Sequence, residues 1–465
     1  MVFNSPSFFV FFAIYFLFHA LIPRIYRNFV IIVGSTVFYA WWKLEYVWIP
    51  YVLMGIAYAS VRWIQGVPEH RSRKFRLVMS IIVLFIPLVI FKYTNFLTGE
   101  IARLFGLSAQ HILDVGLPLG ISFVTFTLTA FIVDNANGTF KRQDGSSTVL
   151  AYVLFFPHLI AGPILRPSEL IPQLDRPKDW RWPRFTTAVA IFTCGLVKKV
   201  IFADQLAELI ERVYADPSQA TWVEAVYAFY AYAIQIYCDF SGYTDMAIGL
   251  ALCLGIRLPT NFLRPYTAGS PVDFWRRWHI TLSRWLRDYL YIPLGGSRST
   301  RWNAVRNVMI TMVLGGLWHG ANWTFVVWGF IHGIAVAACR IVTKTPRLAW
   351  IGCMPRPLAI LLTFHFVCIA WIFFRAPNIA TATSLIERLL SVNVTSLSPF
   401  LAQNIYLVVM AILFFAVHPF DDLRRVKWAV RALRGEIMWP VIVLLWVLAV
   451  TLGLGNSAKF IYFDF

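Results

Sequence analysis

Gly315-Gly316-Leu317-Trp318-His319-Gly320-Ala321-Asn322-Trp323 sets a histidine between two apolar runs, 304–318 and 322–342. A titratable side chain at that depth needs a polar partner or a water-filled space, so function is the default reading. The two runs read as membrane-crossing helices forming a hairpin, with His319 near its turn. Working outward, further apolar runs lie near 7–22, 29–42, 45–61, 77–97, 115–134, 185–203, 222–238, 358–374, 403–418 and 438–455. The expected fold is an all-α polytopic membrane protein with about 11–12 transmembrane helices. Residues 1–465 form a single membrane-embedded body on this reading.

Composition agrees. The chain is 59% hydrophobic, 17% aromatic and only 14% charged, which excludes an ordinary soluble domain. The net charge of +18 would suggest nucleic acid in a soluble protein. Here the bases sit in short connections between apolar runs, where they anchor cytoplasmic loops instead. Cys194, Cys238, Cys253, Cys339, Cys353 and Cys368 form no C-x-x-C pair, so neither a disulfide framework nor a metal site is expected. Met1-Val2-Phe3-Asn4-Ser5 lacks a basic n-region, so the first run is expected to be a retained span.

Charge also orients the chain. Arg62, Arg71, Arg73, Lys74 and Arg76 oppose Glu69 alone, which places that loop in the cytoplasm. Asp204, Glu208, Glu211 and Asp216 read as an acidic outer loop. Alternation then puts both termini on the extracytoplasmic side.

Two stretches break the simple pattern. The apolar run 149–165 is preceded by Lys141 and Arg142 and followed by Arg166, Arg176, Lys178, Arg181 and Arg184, and it contains Pro157, His158, Gly162 and Pro163. Cytoplasmic flanks and helix breakers together predict a re-entrant segment. The stretch 257–307 holds nine arginines against Asp273 and Asp288. Apolar residues at 274/275, 278, 282, 285/286 and 289 have helical spacing, which predicts an amphipathic helix on the cytoplasmic interface.

The chemistry centres on the histidines. A neutral His319 can take a proton from a hydroxyl and return it. The glycines at 315, 316 and 320 leave room for backbone or substrate, and Trp318 and Trp323 are candidate walls of the site. His279, within Arg276-Arg277-Trp278-His279, is the second candidate, and neighbouring positive charge should lower its pKa. His158 is a candidate cavity-lining residue, whereas His332 and His365 read as core histidines. No nucleophile elbow, zinc-protease helix or P-loop occurs. Gly453-Leu-Gly455-Asn-Ser-Ala458 matches a dinucleotide fingerprint by letter alone.

Four stretches carry a resemblance: Leu117-Pro-Leu-Gly-Ile-Ser-Phe123, Phe156-Pro-His-Leu-Ile-Ala-Gly-Pro163, Asp239-Phe-Ser-Gly-Tyr-Thr-Asp-Met-Ala-Ile-Gly249 through Asp273-Phe-Trp-Arg-Arg-Trp-His279 to Tyr291-Ile-Pro-Leu-Gly-Gly296, and Gly316-Leu-Trp-His-Gly-Ala321. Over roughly residues 115–335 the chain resembles the membrane-bound O-acyltransferases, in the bacterial branch that includes the alginate O-acetyltransferase membrane subunit. Teichoic acid D-alanyl transferases are more distant cousins. The resemblance implies a helical body around a central tunnel, with His319 as catalytic histidine and His279 as its supporting partner. It implies no bound cofactor but a cytoplasmic acyl thioester, acetyl-coenzyme A foremost. The acceptor would be an extracytoplasmic polysaccharide, reached directly or through a periplasmic or membrane-anchored acyltransferase. The setting would be the lipid of a bacterial inner membrane.

With that scheme in hand, Arg276, Arg277, Arg284 and Trp275 are the expected donor-binding residues. His158, Trp318, Asn322 and Trp323 are the expected tunnel lining, with Asn322 or a backbone N–H as oxyanion donor. Departures from the family pattern fall at Thr127, where a glutamine is expected, at Ala136-Asn137 and at position 158; they bear on the acceptor or partner. Two rival readings remain: a D-alanyl transferase served by an acyl carrier protein, and a transporter without chemistry.

Overall fold

The computed structural model describes all residues except 68–69, 108–115, 141–144, 177–181, 299, 346–353, 454–459 and 462–465. Lys141, Arg142, Lys178, Arg181, Glu69, Cys353 and the stretch 454–458 therefore lie outside the described residues. The chain is an all-α polytopic membrane protein. Every apolar run read from the sequence coincides with helix. In chain order these are α1 (Pro6–Leu21), α2 (Arg27–Ala40), α3 (Trp48–Gln65), α4 (His70–Leu104), α5 (Ile121–Ala136), α6 (Ser146–Leu154), α7 (Phe156–Leu159), α8 (Pro167–Leu174), α9 (Trp182–Leu196), α10 (Asp204–Ala215) and α11 (Trp222–Cys253). They continue as α12 (Pro271–Trp275), α13 (Ile280–Leu286), α14 (Arg301–His319), α15 (Trp323–Lys344), α16 (Arg356–Arg375), α17 (Ile379–Leu390), α18 (Leu397–Val417), α19 (Leu423–Ala432) and α20 (Gly435–Gly453). Among the described residues, seven helical stretches are long and apolar enough to cross a membrane, and α1 and α5 are shorter apolar helices.

The chain divides into two compact units, residues 1–192 with 246–259, and residues 193–245 with 260–465. In the first, α5 is buried on nearly every side and packs on α3 and α4. The run 149–165 is buried almost throughout, and its helix breaks at Phe155 between α6 and α7. Burial inside protein is the condition under which irregular backbone is tolerated at membrane depth. Phe156 sits in a ring cluster with Tyr15 at 5.3 Å and Phe38 at 5.1 Å, and the Ser35 hydroxyl accepts its backbone N–H at 3.1 Å. Gly120 is left-handed (φ +72°) and passes so close to Leu159 that a Cβ would lie 2.6 Å from its carbonyl oxygen. A side chain there would be strained by its backbone and would also collide. Thr127 and Ala136 are buried on α5, and Asn137 caps its end.

In the second unit, α14 and α15 form the expected hairpin, with α16 packed on α15. Of the two occupants that the glycines of this hairpin were expected to admit, backbone or substrate, Gly316 admits backbone. A Cβ on Gly316 would lie 2.2 Å from the Phe325 carbonyl oxygen, and one on Gly320 would run into the Phe325 ring. Both let the helices touch, as small residues do where apolar helices meet in a membrane, and the space is filled by protein.

Two expectations about connections are corrected. The amphipathic helix over 274–290 is not continuous: α12 ends at Trp275, His279 takes a left-handed backbone (φ +41°), α13 follows, and a π-helical turn spans Arg287–Tyr291. Its apolar residues Phe274, Trp278, Leu282, Trp285 and Leu286 are buried in protein. The acidic stretch after Ala203 is helix α10, and Asp204 is buried there, so it is no outer-loop charge.

Candidate functional site

Local sequence fixes where His319 stands. Gly320 takes extended backbone and ends α14 at His319. Two residues later the Asn322 side chain accepts the Thr324 N–H at 3.0 Å and starts α15. His319 is therefore the last residue of a 19-residue helix, and it is only 3% exposed. Its imidazole is enclosed by aromatic rings: Trp318 at 4.9 Å, Trp328 at 5.2 Å and Phe374 at 5.1 Å between ring centres, all nearly perpendicular. Trp371 closes the cage from behind, stacked on Trp328 at 5.9 Å. These walls are apolar apart from the indole N–H groups.

His279 shares this environment. It is fully buried, its ring lies 6.3 Å from Trp318, and Phe240 meets it edge-on at 4.7 Å. The Trp318 indole thus touches both histidines. Burial pushes the His279 imidazole down to about 3. The direction agrees with the sequence reading but the cause is desolvation by its apolar surroundings, in place of the neighbouring arginines. His279 Nδ1 lies 3.2 Å from Asn261 Oδ1, and its Nε2 is buried without a hydrogen-bond partner.

The other expected residues divide by surroundings. Arg276 is exposed, whereas Arg277 Nε pairs with Asp273 at 2.9 Å, and Arg284 is half-buried. Trp275 does not stand with them: its indole donates to His332 Nδ1 at 3.3 Å and packs against Trp328 at 5.7 Å. Of the expected lining, Trp318 adjoins both histidine rings. Trp323 is 48% exposed, one position into α15. The Asn322 amide is engaged at both ends, since its Nδ2 also donates one of its two N–H groups to the Pro377 carbonyl at 2.8 Å. His158 belongs to the first unit, where its Nε2 lies 2.8 Å from the Tyr152 carbonyl and the Tyr152 hydroxyl donates to Leu165 at 2.8 Å. It ties the broken run 149–165 together.

Residues 145–383 match the membrane-bound O-acyltransferase family. The chain is also 38% identical over 420 residues to a probable alginate O-acetylase from Pseudomonas aeruginosa, covering 87% of this chain and 78% of that one. The chain belongs to the membrane-bound O-acyltransferase family. A peptidoglycan O-acetyltransferase from Helicobacter pylori is 35% identical over 85% of this chain and 81% of its own. A teichoic acid D-alanyltransferase from Bacillus subtilis is 29% identical over 55% of this chain and 68% of its own. The protein is thus a multi-pass membrane O-acyltransferase, similar to acetylases of alginate and peptidoglycan.

Two features of this acyltransferase escape sequence reading. His332, taken for an ordinary core histidine, is fully buried beside the cage, 4.9 Å from Trp328 and 5.2 Å from Trp275. Its partner Trp275 is 57 residues away, and no local pattern joins them. The second is a pair of buried ion clusters on the π-helical turn Val197–Ala203. Lys198 Nζ sits 2.7 Å from both Asp245 and Asp421, and the Tyr237 hydroxyl donates to Asp421 at 2.6 Å. Lys199 Nζ sits 2.7 Å from both Asp204 and Asp239, and Asp239 accepts the Ile461 N–H at 2.8 Å. Adjacent lysines near the end of the apolar run 185–203 were the available signal.

Proposed function

We propose that this acyltransferase moves an acetyl group from a cytoplasmic thioester, acetyl-coenzyme A, to hydroxyls of an extracytoplasmic polysaccharide, directly or through a periplasmic or membrane-anchored acyltransferase partner. One observation carries the reading: His319 is buried at a helix end inside an aromatic cage, with His279 across Trp318. His319 takes the proton of the attacking hydroxyl as its oxygen adds to the thioester carbonyl carbon. The tetrahedral adduct collapses, the C–S bond breaks, and the thiolate leaves with the proton returned from His319. The dry cage limits hydrolysis of the thioester by water. Exposed Arg276 and half-buried Arg284 are the bases suited to the coenzyme's phosphates, with Arg277 braced by Asp273. The acyl group passes through the tunnel that membership of the family implies. The protein sits in a bacterial inner membrane with both termini extracytoplasmic, as the distribution of basic residues favours.

The test uses purified protein in sealed vesicles with radiolabelled acetyl-coenzyme A outside and polysaccharide acceptor inside. Label in the polymer, lost in His319→Ala, supports the reading. Transfer only from a D-alanyl-loaded carrier protein would replace it with the D-alanyl transferase reading. Undiminished delivery by His319→Ala would point to a transporter.

A further inference from the structure

Asn261 lies near the start of the arginine-rich stretch 257–307 and is fully buried. Four contacts from one corner of the chain converge on it. Its backbone carbonyl accepts the Ile280 N–H at 2.9 Å. Its side-chain Oδ1 accepts the Thr281 N–H at 3.1 Å and the Thr281 hydroxyl at 2.9 Å, and lies 3.2 Å from His279 Nδ1. These contacts hold the corner at which His279 adopts its left-handed backbone, a conformation that costs a non-glycine residue energy and persists only where surroundings enforce it.

The same contacts decide where the imidazole proton sits. A backbone N–H can only donate, so the amide atom facing Thr281 is the oxygen and not the nitrogen. An amide oxygen can only accept. The Nδ1 atom beside it must therefore carry hydrogen. His279 is kept neutral by burial, and a neutral imidazole has one N–H, so the lone pair resides on Nε2. That atom is buried and has no hydrogen-bond partner among the described residues. The rings that bound it, Phe240, Phe262 and Trp318, carry no ionisable group.

We propose that Asn261 is a positioning residue that locks His279 in the Nδ1–H tautomer and so presents Nε2 as a hydrogen-bond acceptor for a polar hydrogen of the bound substrate, distinct from the proton that His319 removes. His279 then receives a hydrogen bond from substrate and does not donate one, so it is no oxyanion donor. The proposal rests on the reading that His279 serves acyl transfer.

Full-length protein with 15N-labelled histidine in lipid nanodiscs tests it by NMR, the His279 signals being those lost in His279→Gln. The expected spectrum has a protonated Nδ1 and an unprotonated Nε2. A wild-type spectrum with Nε2 protonated overturns the proposal. Asn261→Leu should lose the single-tautomer signature and lower kcat roughly 10–100-fold, with KM for acetyl-coenzyme A changing less. Asn261→Asp keeps an acceptor facing Thr281 and should restore both the signature and most of kcat. Equal losses in the Leu and Asp variants would overturn it. If the wild-type spectrum is as expected but His279→Gln transfers acetyl at the normal rate, the tautomer lock stands and the role given to His279 falls.

Discussion

Two buried polar regions in the second unit invite comparison. Around Lys198 and Lys199, each ammonium group sits 2.7 Å from two carboxylates, and Tyr237 and the Ile461 backbone add further hydrogen bonds. Around His319 and His279, the neighbours are rings: Trp318, Trp328, Phe374, Phe240 and Phe262. The first region matches each ammonium with two carboxylates, as buried charge requires, although Asp204 Oδ2 has no hydrogen-bond partner among the described residues. The second keeps an imidazole nitrogen in reserve at His279 Nε2. Buried polarity that is closed on itself holds helices together, while buried polarity with capacity left over among rings is where chemistry is to be sought.

The comparison can be broken in order of expected effect. Replacing His319 by Ala should reduce acetyl transfer about 10²–10⁴-fold, measured with radiolabelled donor, with unchanged thermal unfolding. Near-normal transfer would remove the chemical half of the contrast. Lys199→Met should instead cost about 3–5 kcal/mol of stability, because it leaves Asp204 and Asp239 buried without their cation. Thermal unfolding in detergent measures it, and Lys199→Met with unaltered stability but no activity would move that lysine into the reaction.

Two smaller effects sharpen the contrast. The buried His279 and His158 are held down to about 3 and about 4, whereas unfolded histidine titrates near 6.5. The unfolded chain therefore binds more protons across that window, and stability should fall as pH drops from about 6.5 towards 3–4. Melting temperatures across that range should decline, and His158→Phe should flatten the decline; a variant as pH-sensitive as wild type would refute its share. Last, exposed Arg276→Ala should raise KM for donor a few-fold, with no change in melting temperature beyond the ~0–1 kcal/mol of a surface charge. An unchanged KM would return Arg276 to the role of interfacial anchor.

The sequence was most legible where the physics is local. Apolar length located the long apolar helices, helix breakers located the interruption near Phe155, and Gly320 with Asn322 mark the end of α14 and the start of α15. It was least legible where distant residues meet. The partners of Lys198 lie 47 and 223 positions away, at Asp245 and Asp421, so nothing near the lysines announces a buried pair. The break at His279 was hidden for another reason. Apolar spacing continues through it, and the hydrogen bonds that enforce it come from Asn261, 18 residues upstream. Trp275 was grouped with the donor-binding arginines, its neighbours in the chain, but its indole reaches His332.

His319 closes its helix, and that has an electrical consequence. The peptide dipoles of α14 add along 19 residues, and their negative end is the turn that carries this imidazole. A proton taken up there arrives at the end of the helix that favours positive charge. The fleeting imidazolium of acyl transfer would be steadied by the backbone itself, in a cage whose side chains bring no carboxylate to the task.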